Sequence, residues 1–237
     1  YLSWVRRYLA YHGLRSPEEL GRSDVQRFIE HLAVQRGLGP ESQNQAASAV
    51  AFLYRELYEI ELGGRDGVSR ARSPTALPRY ATPDEVDTVL GRLRGVHRVA
   101  AMVMYGSGTR VSETLRLRLK DLDLRTGELV VREGKGGKDR ITVVPRVAVQ
   151  ALRAQIESVE ALHVHDLERG HGWARLPGAL DRKDPRAGWE LGWQFLFPAS
   201  RPTADPKTGH LGRAPLHVTA VQRAVKRASR ESALGRP

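Results

Sequence analysis

The chain has 237 residues, 41% of them hydrophobic, no cysteine and a formal net charge of +11. That length and composition favour a folded protein of two domains over a disordered one, and the missing cysteines exclude disulfides and thiolate metal sites and fit a reducing cytosol. No apolar run approaches the roughly 18 residues needed to span a bilayer and no basic-then-apolar leader is visible, so neither a membrane helix nor a secretory signal is expected.

The first residues predict helices. Tyr1, Trp4, Val5, Tyr8 and Leu9 suggest an incomplete opening helix. Ser16-Pro17-Glu18-Glu19 has the spacing of a capping box and predicts a helix start. Ser23 predicts the next, with Val25, Phe28, Ile29 and Leu32 on one face until Gly37, Gly39 and Pro40 break it. Ala46, Ala49, Val50, Leu53 and Leu57 mark a third, so residues 1–62 are expected to form an all-helical domain. Residues 63–81, rich in Gly, Pro and Arg, predict a solvated linker.

Thr82-Pro83-Asp84-Glu85 repeats the capping-box pattern and opens a second domain over 82–237. Helices are expected at about 83–94, 96–105 and 109–118. The β-branched runs 128–132 and 139–144 flank Gly134-Lys135-Gly136-Gly137-Lys138, which predicts a hairpin with a glycine-rich turn. A long helix from about 147 to 169 follows, then a Gly/Pro/Trp-rich stretch at 170–215 with little periodicity, and a basic amphipathic helix from 218. The fold class is therefore mainly α with a small β-hairpin or sheet.

Charge is lopsided: residues 1–62 carry 7 Lys and Arg against 8 Asp and Glu, and the rest carry 31 against 19. Such a balance points to nucleic acid or another polyanion, or to solvated faces of an arginine-rich protein. Arg110, where a turn enters a helix, and Lys135, in a tight β turn, both leave fixed backbone. Arg offers a planar fork to phosphate oxygens and Lys a compact charge that can give up a proton, a pair suited to phosphoryl transfer. Glu113 is placed to hold Arg110. On residues alone, an ordinary i, i+3 surface ion pair is the slightly stronger reading. The Gly-Lys turn lacks the order of a phosphate-binding P-loop, and His163, His165 and His171 are expected at a solvated helix end rather than at a metal. Two His-x-x-Arg strings, His12 to Arg15 and His210 to Arg213, are expected to be coincidences of a basic composition.

Residues 105–113, YGSGTRVSE, with Leu117 to Asp123 after them, resemble the catalytic arginine box of tyrosine recombinases, the phage-integrase family. Gly134 to Arg140 resembles that family's β-hairpin lysine turn. Segment 163–198, with Gly188-Trp189-Glu190 and Gly192-Trp193-Gln194-Phe195, resembles the additional segment of integron integrases. Asn44-Gln45-Ala46, Phe52 to Glu56 and Val221 to Lys226 point the same way.

The resemblance implies a helical core-binding domain at 1–62 and an α+β catalytic domain at 82–237 with an insertion at about 163–198. It implies site-specific DNA recombination through a 3′-phosphotyrosyl intermediate, with Arg110 on the scissile phosphate, Lys135 as general acid and Glu113 in support. Candidate DNA contacts are Gln43, Asn44, Lys138, Arg140, Trp189, Trp193, Arg223 and Lys226, the two tryptophans by stacking on bases or else packing locally. The implied partners are duplex or folded single-strand DNA and three further copies in a tetramer, in a bacterial cytoplasm, with no cofactor, metal or membrane.

The family's later His-x-x-Arg box and nucleophilic tyrosine are not found here. All seven tyrosines lie at or before Tyr105, and the chain opens on Tyr1 rather than Met. A fragment of an active recombinase is therefore expected, inactive as it stands; the alternative is a non-catalytic DNA-binding module.

Overall fold

The structure, a computed structural model, describes residues 1–62, 71, 80–132, 134 and 136–232. The expected linker at 63–81 thus lies almost wholly outside the described residues, as does Lys135. The chain divides into two units, Tyr1–Arg79 and Tyr80–Pro237.

The first unit holds α1 (Leu2–Tyr11), α2 (Arg22–Val34) and α3 (Pro40–Leu57). Tyr8, Val25, Phe28, Leu32, Val50 and Tyr54 form its core. Two tyrosines at the centre need partners, because a buried hydroxyl without one is costly. Tyr8 and Tyr54 share a hydrogen bond of 2.9 Å, and the Tyr54 hydroxyl reaches the carbonyls of Pro17 and Leu20, each at 3.0 Å. That ties α3 to the connection between α1 and α2.

The capping box expected at Ser16 does not form. Pro17–Glu19 is a single 3₁₀ turn, Ser16 makes no side-chain cap, and Leu20 is extended. The helix starts anew at Arg22, where Gly21 N–H donates to Asp24 Oδ2 at 2.9 Å. Leu20, buried in the core, stops the first turn from continuing. The opening helix spans the ten residues Leu2–Tyr11.

In the second unit α4 (Pro83–Arg92) begins with the expected box: Glu85 N–H donates to Thr82 Oγ1 at 3.3 Å and Thr82 N–H to Glu85 Oε2 at 2.9 Å. α5 (Gly95–Ser107), α6 (Val111–Leu115), α7 (Val149–Glu168), α8 (Leu180–Lys183) and α9 (Val218–Glu231) follow. Strands β1 (Leu122–Asp123), β2 (Glu128–Val131) and β3 (Arg140–Val143) make one antiparallel sheet in sequence order, with Val131 opposite Arg140 at the last rung before the turn. β4 (Thr203–Ala204) and β5 (Leu211–Gly212) form a second. Val103, Leu115, Leu129, Leu152, Leu196 and Phe197 lie in the core between α5, α7 and the larger sheet.

Stretch 170–215 is ordered by polar clamps rather than by periodicity. Gln194 Nε2 lies within 3.1–3.2 Å of the carbonyls of Gly172, Gly188 and Glu190. Arg213 holds Asp166 of α7 with both ends of its fork and also binds the carbonyls of Ala199 and Ser200. His163, expected in solvent, is buried: its Nε2 faces the Trp189 carbonyl at 3.1 Å, and burial lowers its pKa.

Tyr54→Phe should destabilise the first unit by about 1–3 kcal/mol, since it leaves two buried carbonyls and the Tyr8 hydroxyl short of a partner. The check is amide hydrogen exchange across α1–α3; exchange equal to wild type would show that the hydroxyl contributes nothing.

Candidate functional site

α5 ends at Ser107, and Gly108 turns the chain out of it in the left-handed region, φ 63°. Only glycine adopts that conformation without a steric penalty, so the turn is fixed where the sequence places it. Next, the Thr114 hydroxyl donates to the Arg110 carbonyl at 3.1 Å and pairs with Thr109 Oγ1 at 2.7 Å. Thr142 of β3 donates to the Ser107 carbonyl at 3.0 Å. Arg110 is therefore the N-cap residue of α6, on backbone held from both sides.

Glu113 lies one turn into α6, almost out of solvent. Its Oε2 accepts the Arg110 backbone N–H (2.8 Å) and Arg140 Nη2 (2.8 Å); its Oε1 accepts Arg110 Nη1 (2.7 Å) and Arg140 Nη1 (3.1 Å). The Arg140 guanidinium first, then the Arg110 N–H and guanidinium, outweigh burial and hold the carboxyl at a pKa of about 2. Arg110 engages Glu113 by one edge only, and its side chain is 55% exposed. Among the described residues the rest of its fork makes no hydrogen bond.

The other expected residues fall into groups. Beside Lys135, outside the described residues, the turn is closed by Gly134 N–H to the Lys138 carbonyl (3.0 Å) and Gly137 N–H to the Gly134 carbonyl (2.9 Å), with Lys138 exposed. Arg140 is turned onto Glu113. Arg223 and Lys226 share the outer face of α9 with Arg227 and Arg230, opposite buried Val221 and Ala228. In the first unit Gln43 Nε2 binds the Leu38 carbonyl at 2.6 Å, and Asn44 exchanges two hydrogen bonds with the Ala71 backbone.

Both tryptophans are half-buried and have partners. Trp193 carries Lys120 Nζ 2.9 Å from its ring centre and the Arg118 guanidinium at 5.1 Å; burial lowers the Lys120 pKa. Trp189 packs against His210, which also meets Trp173. An open cleft of about 940 Å³ lies beside Glu113, with Arg116, Arg132, Arg175, Lys207 and His210 on its walls.

Sequence reasoning did not single out Arg118, Arg132 or the link from Arg140 to Glu113. Arg118 is buried, donates to the carbonyls of Trp193 and Arg175, and stacks on Phe195 at 4.4 Å. Arg132 Nε meets Asp121 at 2.7 Å. Strand parity was the available signal for Arg140: it shares a face with Thr142, which is turned toward α5, while Ile141 and Val143 point to solvent.

Comparison with known proteins is consistent along the whole chain. Residues 1–64 match the model of the phage integrase N-terminal SAM-like domain, and residues 79–235 match the phage integrase family. An integrase/recombinase of Escherichia coli is 38% identical over 237 residues, covering 100% of this chain and 70% of that protein. Tyrosine recombinase XerD of Mycobacterium tuberculosis is 32% identical over 222 residues, 83% of this chain and 68% of the relative. The fold is similar to that of the Tn1549 transposon integrase in complex with transposon right-end DNA (TM-score 0.59, 15% identity, covering 96% of this chain and 72% of that one). It is also similar to that of XerH bound to its difH substrate (TM-score 0.55, 15% identity, 94% and 56%).

The Glu113 carboxyl sits at about 2 when folded against 4.5 ordinarily, so its contribution to stability is full above about pH 4.5 and is lost as pH falls toward 2. Glu113→Gln should cost about 1.5–3 kcal/mol at neutral pH, by leaving two guanidinium groups without their anion. Urea midpoints of the two proteins should converge over that acid window, and a gap that does not depend on pH would show that the carboxylate charge plays no part.

Proposed function

The chain belongs to the phage integrase family of tyrosine recombinases, and from that premise we propose that its second unit binds a DNA phosphodiester at Arg110 for site-specific recombination. The observation that carries the reading is the fixed, half-open guanidinium: Glu113 engages one edge of Arg110 and leaves the other for phosphate oxygens.

In the proposed reaction a tyrosine phenolate attacks phosphorus and forms the 3′-phosphotyrosyl bond as the P–O5′ bond breaks, and it leaves again as phenolate in the second step. The Lys135 ammonium gives its proton to the leaving 5′-oxygen. In the second step a 5′-hydroxyl attacks the same phosphorus, expels the tyrosine oxygen and returns a proton to the amine. Arg110 neutralises charge on the non-bridging oxygens throughout, where a preorganised cation is most effective. Lys138 and the outer face of α9, with Arg223 and Lys226, would follow the phosphate backbone. The proposed partners are duplex recombination sites or folded single-strand sites and a tetramer of this protein, acting in the bacterial cytoplasm. No helix among the described residues is long and apolar enough to cross a membrane.

Segment 163–198 supports the integron-integrase assignment within the family. Its Trp189 and Trp193 would meet extrahelical bases only by exchanging their present partners. No tyrosine follows Tyr105 in these 237 residues. The half-site they supply is proposed to bind and orient the phosphate.

Two measurements bear on this. Duplex affinity should fall with salt at about −0.9 in log–log slope per phosphate neutralised, and Arg110→Ala should reduce the slope by about 0.9. A flat slope would remove the phosphate reading. In a form that also carries a nucleophile, Arg110→Ala should slow cleavage about 10²-fold or more. The 237-residue chain on a nicked suicide substrate should give no covalent protein–DNA adduct; recovering one would place the nucleophile among these residues.

A further inference from the structure

We infer that Arg140 is a positioning residue rather than a DNA contact, and that through Glu113 it holds the lysine hairpin and Arg110 in one register. This rests on the roles proposed above for Arg110 and Lys135. Arg140 sits opposite Val131 on the last paired rung before the turn, so its backbone is fixed by the ladder. From there its two terminal nitrogens reach across to α6 and occupy both Glu113 oxygens, at 3.1 and 2.8 Å. A two-point contact between a planar fork and a carboxylate fixes rotation as well as distance. The same two oxygens receive the Arg110 guanidinium and amide. One carboxylate thereby joins two arginines that are 30 residues apart in sequence.

The turn rests on this pair. Gly134, the residue before Lys135, lies so close that a Cβ there would stand 2.9 Å from Arg140 Nη1 and 3.5 Å from Glu113 Oε1. Its amide and carbonyl are both used to close the turn, to Lys138 and Gly137. The backbone that leads into Lys135 is seated on the Arg140–Glu113 pair, and Arg110 leaves from the other side of the same carboxylate. Arg140 has both terminal nitrogens committed inside the protein, whereas only one of Arg110 is engaged among the described residues.

The test uses the 237-residue chain, a duplex oligonucleotide and hydrogen exchange. Arg140→Gln is expected to leave the salt slope of binding within about 0.2 of wild type, since no phosphate contact is lost. Exchange at the amides of Arg110, Gly134 and Gly137 is expected to rise about tenfold or more. A double-mutant cycle with Arg110→Ala should show coupling of about fivefold or more in affinity, which a purely structural role elsewhere would not produce. Gly134→Ala keeps every charge and should give the same rise in exchange with an unchanged slope, so the test survives a folding defect in the first variant. A slope loss of about 0.9 in Arg140→Gln, unaltered exchange in both variants, or additive effects in the cycle would overturn the inference. If instead Arg110→Ala leaves the slope unchanged, the functional reading fails, and the exchange data still decide whether Arg140 seats the turn.

Discussion

Everything at this site depends on one constraint: a carboxylate nearly out of solvent must be satisfied on both oxygens. Glu113 meets it with four donors from two arginines, one on α6's own cap and one on β3. Buried charge is stable only when so paired, and breaking such a pair leaves the remaining charges exposed to each other's repulsion. The geometry of Arg110 is thus a by-product of solvating Glu113. The N-cap position adds to this, because the first turn of a helix favours an acceptor at its unpaired N–H groups. Local helix capping and a long-range ion pair are answered by the same two oxygens.

The same economy organises the irregular stretch after α7. Leu196 N–H donates to the Leu117 carbonyl at 2.8 Å and Leu119 N–H to the Gln194 carbonyl at 3.0 Å, so the stretch is stitched to the segment leaving α6. Arg118 completes the seam with carbonyl contacts and two aromatic faces. A loop of this length would otherwise bury many unpaired backbone groups. Here Gln194, Arg118 and Arg213 take that role.

Legibility followed the range of the interactions. Helices with a periodic apolar face, such as α2, α3 and α9, were visible in the sequence because the signal lies within the element. The hairpin was visible through its β-branched runs and glycine turn. The Ser16 box misled because a capping pattern states a local preference, and burial of Leu20 overrode it. Arg110 and Glu113 could be paired by spacing, but nothing local showed that Glu113 was buried or that a second arginine shared it. Without that contact the surface-pair reading was reasonable; with it, Arg110 is held by a group that solvent cannot replace. The polar clamps of 170–215 have no period and so left no pattern to read. That is why His163 was expected in solvent.

The count of cations also needs correcting by contact, although each ion pair leaves the net excess unchanged. The basic excess beyond residue 62 suggests a broad cationic surface, yet several of its arginines are committed internally. Arg140 serves Glu113, Arg132 serves Asp121, Arg213 serves Asp166, and Arg175 lies 3.5 Å from Asp205. Such pairs contribute little field beyond their own neighbourhood, because each cation is matched by an anion a few ångströms away. Among the described residues, the field that a polyanion would meet comes from exposed cations not so matched, among them Lys138, Arg223 and Lys226. Counting charges along the chain therefore overstates how many phosphates this unit can neutralise. The counterions that binding a polyanion would release would report this smaller, unpaired set.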